Sequence, residues 1–186
     1  MMRLSGIAIV ALCAFACEQA DHIEIDPKQP MLKRRGEALQ LHGKVMNRRG
    51  VQIAGEFPTW KSSQPFVATV DEHGSVMAVA SGHALLNATY GSVTAEVPVD
   101  VVLVEAVRAT PTSFHLKPDG DPVKPAVSAI GLNGRVLADR QVALKSDNSD
   151  VVHIDSEGKL WPAAKGETKV RATCEDHEVV LDVVVE

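Results

Sequence analysis

Aromatic side chains are scarce in this chain: Phe, Trp and Tyr make up 4% of 186 residues, with 2 Trp and 1 Tyr. A core short of rings has to be assembled from Val, Leu, Ile and Ala, and the β-branched members of that set fit pleated sheets. Cysteine is as rare, at 3 residues, which excludes a disulfide-stapled scaffold and a cysteine-based zinc site. No apolar stretch approaches the ~18 residues that a membrane-crossing helix needs. Beyond the first residues no segment combines a helical period with caps. Positive charge is in the minority, 19 Lys and Arg against 24 Asp and Glu for a formal net charge of -5. An acidic chain is poorly suited to phosphate backbones, so no nucleic-acid partner is expected.

What the chain has is a repeat. Val67, Asp71, Gly74, Ala80, Gly82, Ala88, Val99 and Val101 recur 84 residues later as Val151, Asp155, Gly158, Ala164, Gly166, Ala172, Val183 and Val185. Pro27, Leu32, Lys33, Gly36 and Gly50 recur as Pro111, Leu116, Lys117, Gly120 and Gly134. Fixed-offset similarity of this kind means one fold built twice, and two domains of roughly 80 residues each hold modest cores.

Residues 1–16 have the make-up of an export signal: Arg3, an apolar run over 6–15, and Ala14-Phe15-Ala16 before Cys17. The run is too short for a stable anchor. Ala16-Cys17 resembles the end of a bacterial lipobox, in which the cysteine is acylated and becomes the new N-terminus; ordinary cleavage after Ala16 is the alternative. Several acyl chains on Cys17 give durable attachment, at roughly 0.8 kcal/mol per buried methylene. Glu18 follows Cys17 where lipoproteins kept in the inner membrane commonly carry Asp, so the resemblance favours the outer membrane. Residues 17–21 form a short tether, 22–104 the first domain and 105–186 the second. Cys174 is read as a buried small apolar residue, with a bridge to Cys17 as the alternative.

Both copies read as strand after strand. Val93, Ala95, Val97, Val99 and Val101 alternate with polar residues, a period of two that buries one face. Pro98 falls on the outward phase and donates no hydrogen bond, which places it at an edge or a bulge. Asp71-Glu72-His73-Gly74 and Asp155-Ser156-Glu157-Gly158 join apolar runs as hairpin turns. Residues 100–107 pass from one copy to the next without Gly, Pro or Ser, a semi-rigid junction.

Trp60-Lys61-Ser62-Ser63, Val67-Ala68-Thr69-Val70-Asp71, Gly74 and Gly82 resemble the signature of the bacterial Ig-like group 2 domain. The second copy follows it through Ser146, Val151-Val152-His153-Ile154-Asp155, Gly158 and Gly166. It departs at Leu144, where that family commonly has Trp, and at Trp161-Pro162. The resemblance implies an all-β chain of two tandem Ig-like sandwiches of Greek-key type, as found in surface proteins and adhesins.

A search for chemistry finds none. His177-Glu178 opens like a zinc-protease motif, but Leu181 stands where the second histidine is required. No Gly-x-Ser-x-Gly elbow or phosphate loop occurs, and no catalytic residue, metal site or cofactor is expected. Asp147, Asn148, Asp150 and Asp155 have calcium-type oxygens, yet such residues are also ordinary turn formers. Lys33, Arg34, Arg35, Arg48 and Arg49 are solvated turn residues or contacts to acidic lipid headgroups and anionic glycans. Trp60 is expected in the core. Trp161 either packs or presents an exposed indole to a partner.

The expectation is a non-enzymatic envelope lipoprotein that serves as an adhesion, spacer or interaction module. Its partners would be a membrane, through the lipid on Cys17, and an unnamed protein or glycan. A carbohydrate-binding accessory protein and an accessory subunit of an envelope enzyme are the alternatives, because fold does not choose among functions.

Overall fold

A computed structural model describes residues 19–186; Cys17 and residues 1–16, read above as an export signal, lie outside the described residues. The first half holds β1 (Ala20–Asp26), β2 (Met31–Leu32), β3 (Ala38–Gln40), β4 (His42–Asn47), β5 (Thr59–Ser62), β6 (Ala68–Val70), β7 (Ser75–Ala78), β8 (Gly82–Tyr90) and β9 (Val93–Val101). The second holds β10 (Ala106–Thr110), β11 (Ser113–Leu116), β12 (Ala126–Ile130), β13 (Ala143–Ser146), β14 (Val152–Ile154), β15 (Leu160–Pro162), β16 (Gly166–Cys174) and β17 (His177–Val185). β1 begins inside the stretch read as a tether, because Ala20 pairs with Asn47 of β4. Among the described residues the one helical element is a 3-10 turn, Leu132–Gly134, and the chain is all-β.

Each half is a two-sheet sandwich. In the first, one sheet runs β2-β9-β8-β5, while β1 pairs with β4 and β3 with β7 and β6. A bond from the Leu41 N–H to the Gly74 carbonyl, 2.9 Å, carries the pairing from β3 towards β4, so these strands form one opposing layer. The second sandwich repeats the order as β11-β17-β16-β13 against β10-β12 and β14-β15. The strand that would match β3 shrinks to a bridge between Val123 and Leu160.

The alternation seen in sequence sets the cores. Leu86, Val97 and Val99 are buried on the inward phase of β8 and β9, and Val170, Leu181 and Val183 on that of β16 and β17. Gly82 and Gly166 both take φ +152, and a Cβ added there would stand 3.0 Å from the Val67 side chain and 3.1 Å from that of Val151. Side chains are strained at that angle, so each turn keeps a glycine.

Pro98 shows how one residue limits a pairing. Asp100 and Val102 donate their N–H groups to the Pro30 and Leu32 carbonyls, and Pro98, two residues earlier on the same side, has no N–H to give. β2 therefore pairs with β9 only through Asp100 and Val101. In the second sandwich Asp182 stands at the equivalent place and donates to the Thr112 carbonyl at 2.9 Å. There β11 runs along β17 from Asp182 to Val185.

Candidate interaction surfaces

Three regions bear on function: the junction between the sandwiches, the turns that carry the basic residues and Trp161, and a pair of side clefts. The junction is made by the strand that leaves β9. Leu103 is 2% exposed and belongs to the first core, and Val104, the next residue, is 4% exposed and belongs to the second. Alternation thus locks adjacent residues into different cores, so a rotation at the junction has to extract one of them. Polar bonds brace the same place. The Ser81 hydroxyl donates to Glu105 at 2.6 Å and accepts from the Leu103 N–H at 3.1 Å.

Arg140, from the second sandwich, reaches across. One guanidinium nitrogen donates to the carbonyls of Lys33 and Val102, each at 3.1 Å. Another meets Asp139 at 2.7 Å, and Nε lies 3.4 Å from Glu175. The Arg140 side chain is only 11% exposed, although its partner Asp139 is half-exposed, so the guanidinium is covered while the bonds it makes stay in part open to water. Lys33 Nζ donates to Asp139 at 2.8 Å; that bond is the main cause holding the Asp139 carboxyl below its usual range. The Glu37 carboxylate accepts from the Lys33 and Arg34 backbone N–H groups, and the Lys33 bond is the chief cause of its lowered pKa.

The two basic turns do not come together. Leu32 pairs beside Val101 at the junction end, whereas Asn47 pairs with Ala20 at the opposite end of the first sandwich. Lys33 is engaged across the junction, and Arg35 donates to the Val79 carbonyl at 2.6 Å. Arg34 is exposed beside them. At the far end Arg48 lies 3.7 Å from Asp21, and the Arg49 N–H donates to Asn47 Oδ1 at 2.9 Å.

Trp161 lies on the outward phase of β15 and is 41% exposed. Its indole N–H donates to Asp155 at 2.9 Å, the leading cause of a lowered Asp155 pKa. Asp155 also ties its own turn by accepting from the Glu157 and Lys159 N–H groups. Asp147 is taken by Arg171 at 2.9 and 3.1 Å, and Asn148 accepts from the Asp150 N–H. These oxygens are therefore committed to turns and ion pairs. Among the described residues no group of three or more His, Cys, Asp or Glu stands together as a metal cage. Cys174 is a buried free thiol, and burial pushes its pKa up.

The clefts are what sequence reading missed. Each opens where the strand equivalent to β4 faces the one equivalent to β5. In the first sandwich Phe57, Pro58 and Trp60 line a cleft of about 400 Å³ with His42 and His73. In the second, Gln141, Val142 and Leu144 occupy the matching positions of a cleft of about 770 Å³. Trp60 is half-buried rather than fully in the core. It packs over Gly43, where an added Cβ would stand 2.6 Å from Pro58 and 2.9 Å from the indole. The departure at Leu144 was the available signal, since a Trp kept in only one copy marks a place where the copies differ.

No family model matches the chain, and no curated protein matches it in sequence. Solved structures similar to it include the S-layer protein rSbsC(31-844), at 22% identity and TM-score 0.44, covering 91% of this chain and 28% of that one. SbsC domains 4 and 5 give 21% identity and TM-score 0.43 over 90% of this chain and 98% of that one. Human protocadherin-24 EC1-2 gives 12% identity and TM-score 0.38 over 90% and 99%. This chain thus spans 28% of the first S-layer chain. The fold assignment rests on the strand order above. Among the described residues no helix is long and apolar enough to cross a membrane.

Proposed function

We propose that this chain is a non-enzymatic structural or interaction module of the bacterial cell envelope: a tandem pair of bacterial Ig-like group 2 domains held to the outer membrane by acylated Cys17. The supporting observation is the junction, where Leu103 and Val104 enter different cores and Arg140 bonds across. Such a joint fixes the direction in which the second sandwich points, which serves display or spacing. The polar clusters support the same reading, since the oxygens of Asp147 and Asp155 are spent on Arg171, Trp161 and turn N–H groups. In this reading the partner is a protein or glycan met by the loops, cleft or strand edges.

The test is crosslinking of the full-length protein in its native envelope, with captured partners read by mass spectrometry and Cys17→Ser as the release control. Reproducible partners lost on release support an anchored interaction module. A mature N-terminus without acyl mass ends the lipoprotein part of the reading.

A further inference from the structure

We propose that the cleft between β4 and β5 of the first sandwich is a binding site for a neutral sugar ring. Phe57 is 71% exposed, the most exposed of the large apolar side chains among the described residues. Its counterpart is Gln141, so the shared fold has no need of a ring there. An exposed phenyl beside a half-buried indole costs solvation that a flat apolar ligand face recovers, and aromatic faces are suited to that contact. Pro58 is buried, and Pro58 and Trp60 press on the bare backbone of Gly43 while the indole also touches Gly74. Pro58 and Trp60, the inner part of the platform, are thereby fixed before a ligand arrives, which lowers the ordering cost of binding.

The polar lining defines the ligand further. Gln52, His42 and His73 offer amide and imidazole groups that both donate and accept, the chemistry that matches hydroxyls. Gln40 Nε2 donates to the carbonyls of His73 and Leu41, at 2.7 and 2.8 Å, and so holds the β6–β7 turn against the cleft. The charged residues Lys44 and Glu72 are of opposite sign, which favours no ionic ligand. A volume of about 400 Å³ falls within the roughly 300–1,000 Å³ of small-ligand sites. The larger cleft of the second sandwich presents Val142 and Leu144 with no ring, and serves as an internal control.

This proposal deepens the interaction-module reading and is separable from it: capture in the envelope tests the module, and a titration of purified protein tests the cleft. The full-length chain carrying Trp161→Phe, in which Trp60 is the sole indole, is titrated with chitotetraose, cellotetraose and maltotetraose by fluorescence and calorimetry. At least one is expected to give saturable binding, weakened about tenfold or more by Phe57→Gln. That variant copies Gln141 at an exposed position, and its thermal melt confirms folding. Binding in the parent chain and in the Trp161→Phe chain should be equal. Absence of saturation by all three at millimolar concentration overturns the proposal, as does equal binding by the Phe57→Gln chain.

Discussion

The two sandwiches solve one packing problem with different residues. Across the central pair of strands, Leu86 faces Val97 in the first and Val170 faces Leu181 in the second. All four are at most 1% exposed, so the large and small partners have changed places with the pair's volume kept. At the cleft, Gly43, Pro58 and Trp60 stand where the second copy has Val127, Val142 and Leu144, a similar exchange of one large ring for several aliphatic groups. Outward positions follow no such rule: Leu85 opposite Pro98 becomes Lys169 opposite Asp182. Interiors change in compensating sets because they are close-packed, and faces change freely.

Grafting one copy's solution onto the other breaks the compensation. Gly43→Val alone drives a side chain into Pro58 and Trp60 and is expected to cost up to about 3 kcal/mol. Adding Pro58→Val and Trp60→Leu should recover much of it. Denaturant unfolding followed by far-UV circular dichroism reads the outcome in the first sandwich, while Trp161 fluorescence reports the second, which should not respond.

Arg140→Ala is expected to cost roughly 1–2 kcal/mol, since it strips charge-assisted bonds from the Lys33 and Val102 carbonyls. It should also broaden the inter-domain angle seen by small-angle scattering. Acid acts on the same joint. The Asp139 and Glu37 carboxyls are held below their ordinary pKa. Their contribution is therefore present above about pH 4 and lost as pH falls through the folded-state value. Scattering curves at pH 5 and pH 8 should coincide, and a curve near pH 3 should differ.

Leu86→Val is expected to cost about 1 kcal/mol. The double change Leu86→Val with Val97→Leu, which copies the second core, should return close to the parent; a double-mutant cycle gives the coupling directly. The smallest effect is expected at the β16–β17 turn, where Glu175 takes φ 53 and its counterpart Gly91 takes φ 57. Glu175→Gly relieves left-handed strain but loosens the unfolded chain by a similar amount, for a net within about 0.5 kcal/mol of zero. A larger loss would mean that the Glu175 contact to Arg140 matters to the joint.

The all-β class was legible because the period of two in β8, β9, β16 and β17 survives in nearly every residue, and because the turns at Asp71 and Asp155 carry their own side-chain bonds. Pro98 was legible only in part: β9 is an inner strand without a bulge rather than an edge, and the missing donor acts locally by shortening the pairing with β2. The cleft was not, because it joins Gly43, Pro58 and Trp60 from strands that the sequence does not bring together. Arg140 was missed for the same reason: its partners Lys33 and Val102 lie in the other half of the chain. Trp161 was open between packing and exposure, and the outward phase of β15 resolves it as exposed.

β2 runs parallel to β9 and β11 parallel to β17, and that direction has a mechanical meaning. A pull between the two ends of one sandwich slides β2 against β9, or β11 against β17, along their lengths, so the bonds between them share the load in shear instead of opening one by one. β11 grips β17 over four register pairs and β2 grips β9 over two. Under tension along the chain the first sandwich is accordingly the weaker clamp, shortened by the donor that Pro98 lacks, and it yields before the second.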